Sequence, residues 1–298
     1  MFLIYINDIS YATNQGRISL FADDTNVFIV ANDINSLFSL ANVIAADIFK
    51  WTVCNKLSIN LDKTNYMLFK PKKQILSSID DMNLFCHVNN HKLSRVNCVK
   101  YLGVWLDENL NWSTHIDNLI KKVRSLTGIL YRKKYVLGPH CRKKLYFSLI
   151  YTSLIYCIEI YENAKRKFLN PLIIKCNSLL RIIQDKTRFD HVKDLYLTYN
   201  TLPVHLLYKL FLLKLMHRFI YCRHSLPVVI SRLFCCNNEV HDFNTRFKYQ
   251  FNLSHVTNSN SISFLGPSMW LKLPNVAKEC QSPSGFVRLC KYSLSLEI

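Results

Sequence analysis

Two adjacent aspartates, Asp23 and Asp24, lie between two short apolar runs in the segment ISLFADDTNVFIV. The flanking residues predict a β-hairpin that bends at this pair, and at a bend both side chains can reach one site. Two close carboxylates repel unless a cation lies between them, and Mg²⁺ prefers such oxygen ligands. In a two-ion site the metals would activate an attacking hydroxyl and stabilise the leaving oxygen. Aspartate is also common in turns, so a plain surface turn stays open here.

The elements that would position this pair form a mixed domain. Apolar residues at helical spacing predict an amphipathic helix that follows the hairpin and includes Leu37, Ile44 and Trp51. The segments YIND (5–8), LSIN (57–60) and YMLF (66–69) are predicted as strands, and a strand pair is predicted within 83–106. This order predicts an α+β domain to about residue 110.

The downstream part is predicted to be helical. Helices are expected over 113–134, after the break Gly138-Pro139, over 171–184 and 202–222, and at 284–294, whereas FLGPSMWLKLP (264–274) is expected to be a Trp-anchored loop. The first of these helices is predicted to carry its apolar residues on one face: Ile116, Leu119, Ile120, Val123, Leu126 and Leu130. Thr114 and Asp117 resemble a helix-start pair, and the apolar run 145–161 is predicted as a buried helix because Glu159 interrupts it and it is short for a membrane span.

Positive charge is concentrated downstream. Residues 1–120 carry 10 Lys and Arg against 11 Asp and Glu, whereas residues 121–298 carry 28 against 9. Triplets of basic residues account for part of this excess: Arg132-Lys133-Lys134, Arg142-Lys143-Lys144 and Lys165-Arg166-Lys167. A polyanionic partner, nucleic acid or an acidic membrane surface, is one interpretation, and a merely solvated basic face is the other.

The cysteine pattern and the N-terminal residues predict where in the cell the protein is located. The chain has 11 cysteines, none in a Cys-x-x-Cys pair, which favours free thiols in a reducing compartment. The first residues have no basic region and contain Asn7 and Asp8, which argues against a signal peptide. We expect an intracellular protein, nuclear or cytoplasmic, without a membrane-spanning segment.

Four ordered motifs carry a resemblance to a known family. FADDT (21–25) resembles the catalytic hairpin of reverse transcriptases. Together with FLIYINDI (2–9), NKLSINLDKTNYMLF (55–69) and VKYLGVWLDENLNWSTHI (99–116), it resembles the palm of reverse transcriptases from non-LTR, LINE-type retrotransposons. The resemblance implies a partial palm at 1–110, a basic helical thumb-like domain at 111–235 and a C-terminal region at 236–298.

The resemblance also implies roles for residues. Asp23 would be the principal metal ligand and Asp24 its partner, with Mg²⁺ or Mn²⁺ as the cofactor. Lys63 would lie near the phosphates of the incoming nucleotide, or would be a solvated turn lysine. Leu102 and Gly103 would form the primer-grip turn, or a plain strand bend. Basic residues of the thumb would hold the RNA template and the DNA primer by their backbone phosphates: Arg132, Lys133, Lys134, Arg142, Lys143 and Lys144.

One part of the family pattern is missing. Such polymerases have a third carboxylate on an earlier palm strand, and Asp8 does not match it by pattern. The sequence therefore predicts a reverse transcriptase fragment, truncated at its N-terminus, whose intact parent would be a two-metal RNA-directed DNA polymerase but which does not polymerise as this chain. A non-enzymatic, basic nucleic-acid-binding protein is the alternative.

Overall fold

The computed structural model describes residues 2–69, 87–88, 91–240, 251–253 and 261–298. The chain divides into two compact units, Met1–Leu110 (unit 1) and Asn111–Ile298 (unit 2). Small sheets and one long helix make up the described part of unit 1, and the described part of unit 2 is almost entirely helical. The predicted α+β class is therefore confirmed.

The N-terminal segment is helical rather than extended. Helix α1 (Phe2–Tyr5) is followed by a 3₁₀ turn over Asn7–Tyr11. The backbone N–H of Ile9 donates to the Ile6 carbonyl at 3.1 Å, and that of Ala12 donates to the Ile9 carbonyl at 3.0 Å. Because these backbone groups are satisfied locally, the segment needs no neighbouring strand, and the predicted YIND strand is wrong.

The predicted hairpin and the helix after it are both present. Strands β1 (Arg17–Phe21) and β2 (Asp24–Phe28) pair antiparallel, with Phe21 opposite Asp24. Helix α2 (Ile34–Cys54) begins at Asp33, whose Oδ1 accepts from the Ser36 N–H at 2.8 Å. Helix α2 is also long and apolar enough to cross a membrane, with a mean hydropathy of 1.4 and 17% of its apolar window buried. The core helices of soluble proteins and signal sequences can be equally long and apolar.

The remaining strands of unit 1 are short. They are β3 (Asn65–Tyr66), β4 (His87–Val88), β5 (His91–Lys92), β6 (Ser94–Arg95), β7 (Cys98–Tyr101) and β8 (Val104–Asp107). Strands β3 and β6 pair parallel, whereas β4–β5 and β7–β8 pair antiparallel. Part of the predicted strand region 83–106 lies outside the described residues. A small core of Phe38, Val88 and Leu93 joins α2 to these strands.

No strand forms at LSIN, contrary to prediction. The carbonyl of Asn60 accepts from the N–H groups of Lys63 and Thr64 at 3.2 and 3.0 Å, and its Oδ1 also accepts from Lys63 N–H at 3.2 Å. These bonds close a turn at the end of the segment, since an Asn side chain readily bonds to backbone nearby. The predicted strand YMLF is reduced to Asn65–Tyr66.

Unit 2 is built from helices of very different lengths. They are α3 (Ser113–Lys133), α4 (Pro139–Leu145), α5 (Thr152–Ile155), α6 (Ile158–Tyr161), α7 (Arg166–Ile183), α8 (Val192–Thr198), α9 (Val204–Tyr221), α10 (Val228–Ser231), α11 (Asn237–Val240), α12 (Ile262–Leu271), α13 (Asn275–Lys278) and α14 (Pro283–Ser295). Together α3, α7, α9 and α14 supply most of one large apolar core.

The first long helix of unit 2 matches its predicted face. All six residues predicted for the apolar face of α3 are buried: Ile116, Leu119, Ile120, Val123, Leu126 and Leu130. The helix begins at Ser113 as predicted, but the predicted capping pair is wrong, because Trp112, at φ 64°, precedes the helix and no side chain caps it. Thr114 therefore lies inside the first turn. Pro139 opens α4 as its spacing predicts.

The apolar run 145–161 is not one helix. A π-helical turn, Tyr146–Tyr151, joins α4 to α5, and the chain then breaks at Tyr156 and Cys157, the latter at φ 55°. The run is nonetheless buried in part, with Tyr146, Ile150 and Leu154 at 2% exposure or less. The prediction of burial is thus confirmed for these residues, and the prediction of one continuous helix is wrong.

The segment predicted as a Trp-anchored loop is helix α12. A Cβ atom added at Gly266 would lie 2.9 Å from Met216 Cε, so α12 packs directly on α9 at this glycine. Trp270 is buried, with its ring centroid 5.6 Å from that of Phe286 in α14. Tertiary packing therefore outweighs the low helix propensity of Gly266-Pro267. The predicted final helix is confirmed as α14.

Candidate active site

The paired aspartates lie at the tip of the β1–β2 hairpin. Asp23 is the second residue of a two-residue turn, and Asp24 is the first residue of β2. Both side chains are exposed. Within the described part of the chain, no hydrogen bond or ion pair reaches either carboxylate. The hairpin thus presents two unpaired oxygen ligands side by side, which suits the chemistry of a hard divalent cation.

The turn that holds the pair is strained. Ala22, its first residue, has φ 52°, whereas Asp23 lies outside the positive-φ region. A positive φ at the first of two central residues matches a type II′ turn, in which glycine is preferred. An alanine here costs roughly 1–2 kcal/mol because its Cβ meets the following carbonyl.

Ala22→Gly is expected to raise the free energy of unfolding of unit 1 by about 1 kcal/mol, because it removes that Cβ contact. Ala46→Gly is the matched control, since Ala46 is exposed in the middle of α2 and its replacement should cost about 1 kcal/mol. Urea unfolding followed by circular dichroism measures both. A destabilising Ala22→Gly would show that the turn stores no strain.

Lys63 is an exposed residue of the turn that Asn60 closes. Its ammonium makes no hydrogen bond or ion pair with any residue that the structure describes. Asn60 accepts backbone hydrogen bonds through its carbonyl and its Oδ1. The functional role predicted for Lys63 stays a prediction.

Leu102 and Gly103 form the tight turn between β7 and β8. Their φ angles are 45° and 84°, and Tyr101 pairs with Val104 across them. Two consecutive positive φ angles match a type I′ turn, which explains the need for glycine at the second position. The hairpin predicted from VKYLGVWL is confirmed, and contact with nucleic acid stays a prediction.

An aromatic contact relates these two hairpins. The rings of Phe28 and Tyr101 meet edge to face with centroids 6.4 Å apart. Phe28 is the last residue of β2, about 13 Å along the strand from Asp24 at the usual rise per residue. Tyr101 immediately precedes the Leu102–Gly103 turn. The Tyr101 ring therefore contacts β2 at the end that is remote from the aspartates.

The described residues do not complete a metal site. No group of three or more His, Cys, Asp or Glu side chains that could hold an ion occurs among them. Asp23 and Asp24 fit Mg²⁺ or Mn²⁺ as two oxygen ligands of such a site, and further ligands would have to come from phosphate groups, water or other carboxylates.

The residues of the two predicted phosphate-binding triplets differ in how exposed they are. Arg132, Lys133 and Lys144 are exposed, and Lys134 and Lys143 are half-buried. Arg132 and Lys133 also lie in the last turn of α3, where cations stabilise a helix end. These five positions remain available to a polyanion.

Arg142 differs from its neighbours. It is 3% exposed, and its Nη1 and Nη2 donate to Asp185 at 2.8 and 2.6 Å. Nη1 also reaches the Ile182 carbonyl at 3.3 Å. Arg142 therefore joins α4 to the end of α7, and its guanidinium is occupied, which contradicts the predicted phosphate contact. The helical position decides this, because residue 142 faces inward while 143 and 144 do not.

A basic cleft in unit 2 was not predicted from the sequence. It is shallow and open to solvent, has a volume of about 600 Å³, and is lined by residues of one helical stretch: His140, Lys143, Lys144, Phe147 and Ser148. The spacing of the first four, at i, i+3, i+4 and i+7, is the signal that could have indicated one shared helix face. The second described cleft, of about 500 Å³, is lined in unit 1 by uncharged residues that include Gln15 and Asn35.

Comparison with known proteins identifies two relatives. The chain is 26% identical over 171 residues to the RNA-directed DNA polymerase from mobile element jockey of Drosophila melanogaster, a match covering 55% of this chain and 18% of that protein. It is 25% identical over 187 residues to the protein of the same name from Drosophila funebris, covering 62% of this chain and 20% of the relative. No family model and no solved structure matches the chain.

These matches confirm the resemblance to reverse transcriptases of LINE-type retrotransposons, the class to which jockey belongs. The chain spans about a fifth of the length of the curated relatives it matches.

Proposed function

We propose that this chain is part of a retrotransposon RNA-directed DNA polymerase and that Asp23 and Asp24 are its metal-binding carboxylates. The observation that carries the proposal is the exposed, unpaired aspartate pair at the tip of a tight hairpin, in a chain similar to two proteins named as such polymerases. The substrates would be deoxynucleotides, a DNA primer and an RNA template.

In this proposal the chain's residues position charge. Asp23, held by the turn, is the principal ligand, and Asp24 approaches from the first position of β2. When bound, Mg²⁺ or Mn²⁺ would supply the positive charge that favours an attacking primer hydroxyl and a leaving pyrophosphate. Lys63 would donate a proton or a hydrogen bond to phosphate oxygens. The exposed lysines and arginine of unit 2 would hold backbone phosphates without reading sequence.

We further propose that these 298 residues do not polymerise DNA by themselves. Two carboxylates give an incomplete two-ion geometry, and lost positioning and charge stabilisation each lower a rate by powers of ten.

The ten cysteines in the described part of the chain are all free thiols, which supports an intracellular location for the protein.

Metal binding and primer extension together test the polymerase proposal. Mn²⁺ titration followed by electron paramagnetic resonance should detect binding that Asp23→Asn and Asp24→Asn abolish and Asp62→Asn, in another exposed turn, leaves intact. Primer extension with Mg²⁺ should yield no product. Mn²⁺ binding that ignores both substitutions would contradict the assigned ligands, and synthesis abolished by Asp23→Ala would overturn the proposed inactivity.

The charge distribution favours a second candidate function, non-enzymatic nucleic-acid binding by the downstream part of the chain, where 28 basic residues face 9 acidic ones. A protein that neutralises about six phosphates loses roughly a thousandfold in affinity between about 50 and 200 mM salt. Filter binding at these two salt concentrations measures that loss. Affinity that hardly changes with salt would exclude this function.

A further inference from the structure

The basic cleft of unit 2 combines positive charge with an aromatic wall. His140 and Lys144 are exposed, Lys143 is half-buried, and all three lie on the same helix face as Phe147. Ammonium groups attract phosphate oxygens, and a ring that borders the same cleft can receive a flat apolar group. The cleft therefore offers two different kinds of contact to one ligand.

The Phe147 ring packs against three other aromatic rings. Its centroid lies 5.1 Å from that of Tyr146, 5.3 Å from Tyr151 and 6.2 Å from Tyr199. Tyr146 is 1% exposed, so this support belongs to the core. A ring fixed in this way loses little conformational freedom when a ligand stacks on it, which favours binding.

The backbone at this ring departs from a regular helix. Phe147 lies in the π-helical turn Tyr146–Tyr151, whose backbone hydrogen bonds join residues five apart instead of four. Such turns are rare and are frequent at functional sites. Together with the cleft, the π-helical turn singles out this surface of unit 2.

The cleft keeps its positive charge. Asp185, the carboxylate beside α4, is already bound by both terminal nitrogens of Arg142. Lys143 Nζ instead lies 5.0 Å from the centroid of the Tyr199 ring. Neither Lys143 nor Lys144 forms an ion pair with a described carboxylate, and both remain available to an anion.

We propose that this cleft binds an unpaired nucleotide of a single-stranded nucleic acid, with the base stacked on Phe147 and the flanking phosphates held by Lys143 and Lys144. In a duplex both faces of a base are covered by its neighbours, so the ring would have no base to receive. The proposal uses the nucleic-acid partner of the proposed function and does not depend on the polymerase reaction.

Fluorescence anisotropy with three labelled ligands tests the proposal: a short single-stranded oligonucleotide, the same strand with abasic sites, and the corresponding duplex. Stacking of one base should make the intact strand bind about tenfold more tightly than the abasic strand. Phe147→Leu should remove this difference while it keeps an apolar side chain, and thermal unfolding checks that the variant is folded. Lys143→Gln with Lys144→Gln should weaken binding of all three ligands.

Phe189→Ala is the matched control. Phe189 is 80% exposed and has the Arg188 guanidinium 4.7 Å above its ring, yet it does not line the cleft. It should leave the tenfold preference unchanged. Equal affinity for intact and abasic strands, or tighter binding of the duplex, would overturn the base-stacking site, and so would tighter binding of anionic lipid vesicles in a parallel sedimentation assay. The proposed function would survive each of the two nucleic-acid outcomes, because binding to phosphates alone would remain.

Discussion

Asp185→Asn is expected to lower the free energy of unfolding of unit 2 by about 2 kcal/mol, less than for a fully buried ion pair, because the Asp185 side chain is 54% exposed and solvent screens its charge. The substitution keeps the shape of the side chain and removes the charge that faces Arg142. The guanidinium of Arg142 would then stay buried, at 3% exposure, with no countercharge. Asparagine also tolerates the φ of 53° found at position 185, so backbone strain does not add to the effect. Urea unfolding measures the loss.

Substitution of Arg142, the other member of the ion pair, should lower the free energy of unfolding less. Arg142→Met removes the buried charge and leaves Asp185, whose side chain is 54% exposed and can be hydrated. If Arg142→Met proved as damaging as Asp185→Asn, an uncompensated buried cation would not explain the loss of stability. Hydrogen bonds from Arg142 lower the pKa of Asp185 below its ordinary value. The stabilising contribution is therefore present at neutral pH and is lost as the pH falls through that lowered pKa.

Glu162→Gln is expected to stabilise unit 2 by about 3 kcal/mol at pH 8 and to have little effect near pH 4.5. Burial raises the pKa of Glu162 to about 7, and the positive charges of Arg166 and Lys209 only partly offset it. The Arg166 guanidinium lies 3.6 Å away but is 68% exposed, so solvent screens it. The folded protein thus binds this proton more tightly than the unfolded chain does.

The pH dependence of stability that Glu162 produces is opposite in sign to that of acidic groups with a lowered pKa. Between pH 4.5 and about 7, unfolding releases a proton from Glu162, and stability therefore falls as the pH rises. Asp190→Asn is the control, since hydrogen bonds from Thr187 lower the pKa of Asp190 and its contribution is lost toward acid instead. Unfolding midpoints at several pH values measure both. A Glu162→Gln variant that keeps the wild-type slope in this interval would contradict a protonated buried Glu162.

The sequence correctly predicted those elements in which apolar side chains recur with one clear period over many residues. The apolar face of α3 repeats over about four turns, and every predicted residue on it is buried. The two tight turns at Asp23 and Gly103 were also predictable, because short apolar runs flank polar or glycine residues at both places. In each case local pattern and tertiary environment favour the same structure.

Two failures occurred where contacts distant in sequence decide the structure. Helix α12 forms through Gly266 because Met216, far upstream in α9, occupies the space beside it. Arg142 is buried by Asp185, 43 residues later, which a basic triplet alone does not indicate. Charge and composition located the basic half of the chain correctly. They did not distinguish an internal arginine from the two lysines beside it.

The two-stranded hairpin that carries Asp23 and Asp24 has a consequence for cooperativity. A ladder of two five-residue strands is marginally stable on its own, so its opening costs far less than global unfolding. Any molecule that supplied a further strand beside Arg17–Phe21 would raise that opening cost. Ordering of the acidic tip and recruitment of such a molecule would then be thermodynamically linked, each strengthening the other to the same extent.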